Sequence, residues 1–145
     1  MNDNHNKVNE THLGYIQAVI DRMGQNSFHA KEWCVTVVSA LIAFYLTKDA
    51  DNSRPAIAIT AGVVTILFCV VDAYYLHLER GYRDLYKVAA KLEEDSDFKP
   101  YSMSRLEKSK GFGHYMKAFI SISTGLFYLV ILIGIATLFV ITYVF

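Results

Sequence analysis

The chain has 145 residues, which suits one compact unit. Its 14 basic and 14 acidic residues cancel, so bulk charge points to no nucleic-acid partner, while 53% of the residues are hydrophobic. The two cysteines, Cys34 and Cys69, both lie in apolar runs and read as small packing residues, not as a disulfide or metal pair.

The first ten residues, MNDNHNKVNE, are polar and lack the apolar core of a cleavable signal peptide. Thr11 is an acceptable N-cap, and Leu13, Ile16, Ile20 and Met23 follow at spacings of three, four and three. Residues 1–31 therefore read as an N-terminal segment carrying an amphipathic helix. Residues 33–46, WCVTVVSALIAFYL, form an apolar run that is short for a span and also fits a buried or re-entrant helix. Trp33 and Tyr45 suit the two membrane interfaces, and Lys48 can snorkel outward. Residues 47–55, TKDADNSRP, are rich in turn formers, and Pro55 suits a helix start. Residues 56–78 are long enough to cross a bilayer, so 32–78 reads as a transmembrane helical hairpin.

Beyond it, Leu78, Tyr82, Leu85, Ala89 and Leu92 repeat at helical spacing, and Glu79–Arg83 and Arg80–Asp84 supply i,i+4 charge pairs. The second span is thus expected to continue as one helix to about Glu94, where EEDSDFKP (93–100) breaks it. The two apolar stripes are expected to pack on each other, within one chain or across an oligomer. Residues 79–117 make up this helix and a basic linker. Residues 118–145 carry no charged side chain and, as one helix, would be about 42 Å long, more than a hydrocarbon core of about 30 Å. The fold class is an all-α membrane protein with three transmembrane helices, an N-terminal amphipathic helix and a central cytoplasmic helix.

Charge orients the spans. With the N-terminus in the cytoplasm, 12 Lys and Arg residues lie inside, and only Lys48 and Arg54 lie outside. The C-terminus then lies outside, at or near the far membrane surface.

No glycine-rich phosphate loop, paired-cysteine metal motif, HExxH or nucleophile elbow occurs, so neither an enzyme nor a cofactor or metal site is expected. Asp72 is the most informative polar residue. A carboxylate in hydrocarbon costs at least about 2.5 kcal/mol and finds a partner, for which Lys31, His29 and Arg22 are candidates. It reads either as a gate or as an interfacial carboxylate. On the third helix Ser121, Thr124, Gly125, Tyr128, Leu132, Ile135, Phe139 and Thr142 share one face. That face reads as a pore lining, hydroxylated below and apolar above, or as a tight helix contact. The segment RLEKSKGFGHYMK (105–117) places Arg105, Lys108 and Lys110 beside Phe112, His114 and Tyr115. It reads as a phosphate-ligand site or as a basic flank on anionic lipid.

Two blocks carry a family likeness: YIQAVIDRMGQNSFHAKEW (15–33), which leads into the first span, and DAYYLHLERGYRDLY (72–86), which leaves the second. Together they resemble small bacterial membrane effectors of anti-phage defence that occur beside nucleotidyltransferases. These include the pore-forming effector of the Hailong system and, more loosely, the two-span SLATT effectors. The third span departs from the SLATT plan. The resemblance implies a homo-oligomeric inner-membrane channel, as a tetramer, controlled by a nucleotide or oligonucleotide that a partner nucleotidyltransferase makes. Activation would depolarise the cell and arrest growth. The alternative function is a non-conducting scaffold or accessory subunit that recruits a cytoplasmic partner; a weaker one is a peptide that disorders the bilayer.

Overall fold

The computed structural model describes residues 2–47, 53–96, 99 and 101–144, with their side chains except those of residues 2–9, 53, 108, 143 and 144. Most of the expected outer loop, with Lys48, and the Asp97, Phe98 and Pro100 part of the expected helix break lie outside the described residues.

Every regular element among the described residues is helical. Helix α1 (Asn2–Thr47) and helix α2 (Ser53–Ala89) form a long antiparallel hairpin, followed by a 3₁₀ turn (Glu107–Ser109), α3 (Phe112–Phe119), a π-helical turn (Ile122–Leu126) and α4 (Phe127–Val144). Three stretches are long and apolar enough to cross a membrane: Glu10–Thr47, Arg54–Ala89 and Ile122–Thr142. The upper hairpin exposes Phe44, Ile59, Val63, Ile66 and Leu67, a surface suited to hydrocarbon and not to water.

The N-terminal helix and the first span are one uninterrupted helix of 46 residues, about 69 Å long. Thr11 is therefore not an N-cap; it lies inside α1, which starts nine residues earlier. Gly24 is the weak point, but a glycine costs only about 1 kcal/mol against alanine in a helix interior. That is too little to break a helix packed along α2. The buried stripe runs His12, Ile16, Ile20, Ser27, Ala30, Cys34, Val38 and Tyr45, all at helical spacing.

Two apolar clusters hold the hairpin. Near its polar end Ile16 and Ile20 of α1 meet Leu85, Val88 and Ala89 of α2, and Leu106 closes them from the linker. The two stripes thus pack within one chain. Leu85 is 1% exposed, whereas Leu92, on the same predicted stripe, is 72% exposed. Leu85→Ala is expected to lower unfolding free energy by about 2–5 kcal/mol, read by denaturing-detergent titration. Unchanged stability would mean that Leu85 serves only contacts between copies. Near the other end Cys34, Val38, Ala61 and Cys69 meet Tyr128 and Ile135 of α4. Both cysteines are free and buried, as packing residues.

Helix α2 stops at Ala89, short of the expected Glu94. Leu92 N–H bonds to the Lys87 carbonyl and Lys91 N–H to that of Val88, with Lys91 at φ 59°. This is a Schellman motif with lysine in the left-handed position that glycine usually takes. The third apolar segment is not one helix either. Ser121 is extended (φ −61°, ψ 145°) between α3 and the π-helical turn. The run Ser121 to Gly125 is built of poor helix formers, and the break is held from outside. Arg80 donates from Nη1 to the Lys117 carbonyl (3.2 Å) and from Nη2 to Ser121 Oγ (2.8 Å). Glu79 pairs with Arg83 at 2.6 Å, as expected. Arg80 faces α3 instead of completing a pair with Asp84, which would in any case have the less favourable order along a helix. The apolar stretch Ile122–Thr142 has 21 residues, about 31 Å at helical rise, which matches a hydrocarbon core without tilt.

Candidate functional site

Asp72 lies midway along α2 with no exposed surface. Opposite it α1 presents Ser27 and Lys31, one turn apart and so on one face. Ser27 Oγ donates to Asp72 Oδ1, Lys31 Nζ stands 2.6 Å from Oδ2, and Lys31 Nζ also donates to Ser27 Oγ at 3.2 Å. The three side chains close a triangle. The Lys31–Oδ2 contact is ionic, without a well-directed hydrogen bond. The Lys31 side chain is 18% exposed, so the pair has an edge to solvent only on the lysine side.

The other two candidate partners are elsewhere. Arg22 is exposed, and His29 contacts Glu32 at 2.7 Å on the outer face of α1. The missed partner is Ser27, and its signal was present. The stripe Ile16, Ile20, Met23 extends at steps of four to Ser27 and Lys31, so a hydroxyl and an ammonium occupy positions that are apolar elsewhere.

Helix α4 brings a third side to this layer. Tyr128 is 2% exposed, and its hydroxyl lies beside Asp72 and interacts with it, short of a well-directed hydrogen bond. The Thr124 hydroxyl is also buried without a partner. By contrast, Thr65 Oγ1 is occupied by the Ala61 carbonyl at 2.7 Å. A buried hydroxyl without a well-directed hydrogen bond costs about 1–3 kcal/mol, so Tyr128 beside a buried charge pair marks an unusual place in the fold.

The expected pore face of the third helix is the face that packs inward. Thr124, Tyr128 and Ile135 are buried, and Ser121, Leu132 and Phe139 are half-buried. Within one chain this face packs against α1 and α2.

The residues of the basic segment do not converge on a common cavity. Arg105 Nη1 donates to His77 Nε2 at 3.1 Å. A guanidinium has no acceptor, so the proton of His77 is assigned to Nδ1. Lys110 pairs with Glu107 at 2.6 Å, while Phe112 and His114 are exposed; the Lys108 side chain lies outside the described residues. Tyr115 stands edge-on to His77 (6.2 Å between centroids) and donates its hydroxyl to the Val70 carbonyl at 3.2 Å. Burial pushes this hydroxyl above the usual tyrosine range, which keeps it a neutral donor. Arg105, His77 and Tyr115 therefore tie the linker to α2 and α2 to α3. His77 and Arg80 were missed as the α2 ends of these ties, because their partners lie 28 to 41 residues away.

No protein-family model, curated protein or solved structure matches this chain.

Proposed function

We propose that this chain is a subunit of an oligomeric, ligand-gated ion channel of the bacterial inner membrane, with the N-terminus and the polar end of the hairpin in the cytoplasm. Three spans are too few to enclose a pathway, so several copies surround it. The carrying observation is the triangle of Ser27, Lys31 and Asp72, buried between two membrane-length helices and closed by the Tyr128 hydroxyl of the third. Ionisable residues within membrane-spanning helices typically mark ion pathways. The excess of 12 cations over two supports the orientation.

In this reading the present arrangement is closed. The face of Ser121, Thr124, Tyr128, Leu132, Ile135 and Phe139 lies on the hairpin and covers Asp72. Opening swings α4 away about the break at Ser121, where the extended residue and the π-helical turn make the segment readiest to bend. Lys31 and Asp72 then face the pathway. The resemblance to anti-phage effectors supports a nucleotide signal from a partner nucleotidyltransferase and depolarisation as the outcome.

Expression in cells with a potential-sensitive dye tests this. The unaltered chain should depolarise them, and Asp72→Asn should change the extent while the protein still inserts. A second reading, a non-conducting scaffold, is favoured by the inward packing of the α4 face. It predicts no depolarisation and no current in proteoliposomes.

A further inference from the structure

The linker between α2 and α3 does more than connect. It folds back on the hairpin, where His12 Nε2 contacts the Ser102 carbonyl at 3.3 Å, the His12 ring stands edge-on to Tyr101, and Leu106 is buried in the apolar cluster. Between this linker and α2 lies a cavity of about 400 Å³ with Leu85 and Leu106 among its walls. Its polar lining is Ser96, Lys99, Ser102, Ser104, Arg105 and Glu107. The charge is one-sided. Glu107 is already paired with Lys110, whereas Lys99 has no ion-pair partner among the described residues. Arg105 uses one N–H on His77 and keeps further donors, since a guanidinium carries five.

We infer that this cavity binds the phosphate group of a small organic ligand through Lys99, Arg105 and the serine hydroxyls. Two cations and three hydroxyls form a donor set that suits a doubly charged oxyanion and offers little to a cation. The volume falls within the range of about 300–1,000 Å³ for small-molecule sites, which leaves room for more than a bare phosphate. The site deepens the ligand-gated reading by placing the signal. Arg105 is at once a wall of the cavity and the donor to His77, and His77 stands against Tyr115 of α3, next to the break that precedes α4. Among the described side chains, none of Lys110, Phe112, His114 or Tyr115, the segment's other expected ligand residues, lines it.

Gly81 gives a selective test. A Cβ there would stand 2.8 Å from Arg105 Cδ, so Gly81→Ala displaces the arginine without removing its charge. Alanine is the better helix former, which protects folding. Full-length protein in detergent is titrated with adenosine monophosphate, adenosine and inorganic phosphate by calorimetry. We expect the monophosphate to bind, adenosine not to bind, and inorganic phosphate to compete. Lys99→Gln, Arg105→Gln and Gly81→Ala should each weaken binding about tenfold or more, and Phe112→Ala should not. Binding of the monophosphate that is unchanged in Lys99→Gln and Arg105→Gln overturns the proposal, as does equal binding of adenosine. Competition by phosphatidate in nanodiscs, lost in the same variants, keeps the site and assigns a lipid phosphate as its source. Because the titration needs no current, a failed site and a failed channel are told apart.

Discussion

Lys31→Met is expected to lower the unfolding free energy in detergent by about 3–5 kcal/mol, and adding Asp72→Leu should recover most of the loss. Removing one partner of a buried ion pair leaves the other charge uncompensated, whereas replacing both by apolar groups can be neutral or stabilising. The two halves should not be equivalent. Lys31 is 18% exposed and sits on a long apolar stem, so without Asp72 its ammonium can turn outward to water. Asp72 has no exposed surface and a short side chain, so without Lys31 it keeps only neutral hydroxyls, Ser27 as donor and Tyr128 nearby. Asp72→Leu alone should thus cost clearly less than Lys31→Met. Denaturing-detergent titration of the three variants checks this ordering. Equal and small losses for both single variants would mean that the pair is not dry, and the buried gate would lose its basis.

The architecture was largely legible because its determinants are local. Apolar length marked all three membrane-length helices, and the stripe through Leu13, Ile16, Ile20 and Met23 placed the inner face of α1. What the sequence hid depends on contacts between distant segments. Thr11 has the chemistry of an N-cap, yet the residues before it are helical as well, so the start moved to Asn2. Residues 118–145 read as one helix because hydropathy does not register backbone breaks. Ser121 is extended there with its hydroxyl and the preceding turn held by Arg80, a partner 41 residues away. The face of α4 could be named, but not its neighbour, since a pore lining and a helix contact use the same small and hydroxylated residues. The phosphate cavity lies mostly before the basic segment: Ser96, Lys99, Ser102 and Ser104 form no pattern until the linker folds back onto Leu85.

Tyr128→Phe is expected to make the protein more stable, by about 1–3 kcal/mol, and the channel harder to open. The ring is buried in the cluster with Cys34, Cys69 and Ile135, and phenylalanine fills the same space. What the substitution removes is a hydroxyl that only approaches Asp72 without a well-directed hydrogen bond, so its desolvation is poorly repaid in the folded state. A core selected only for stability would have phenylalanine here. The hydroxyl becomes useful if α4 moves, because it then meets water or a passing ion beside Asp72. Stabilising the closed arrangement alone by 1–3 kcal/mol lowers the open population about 5- to 150-fold, so the loss of current should follow the gain in stability. Denaturing-detergent titration and proteoliposome currents on the same preparation test the coupling. A variant that is less stable than the unaltered chain would show that the hydroxyl is satisfied in the closed state, most simply by water against Asp72. The triangle would then be a hydrated site and α4 would not be its lid.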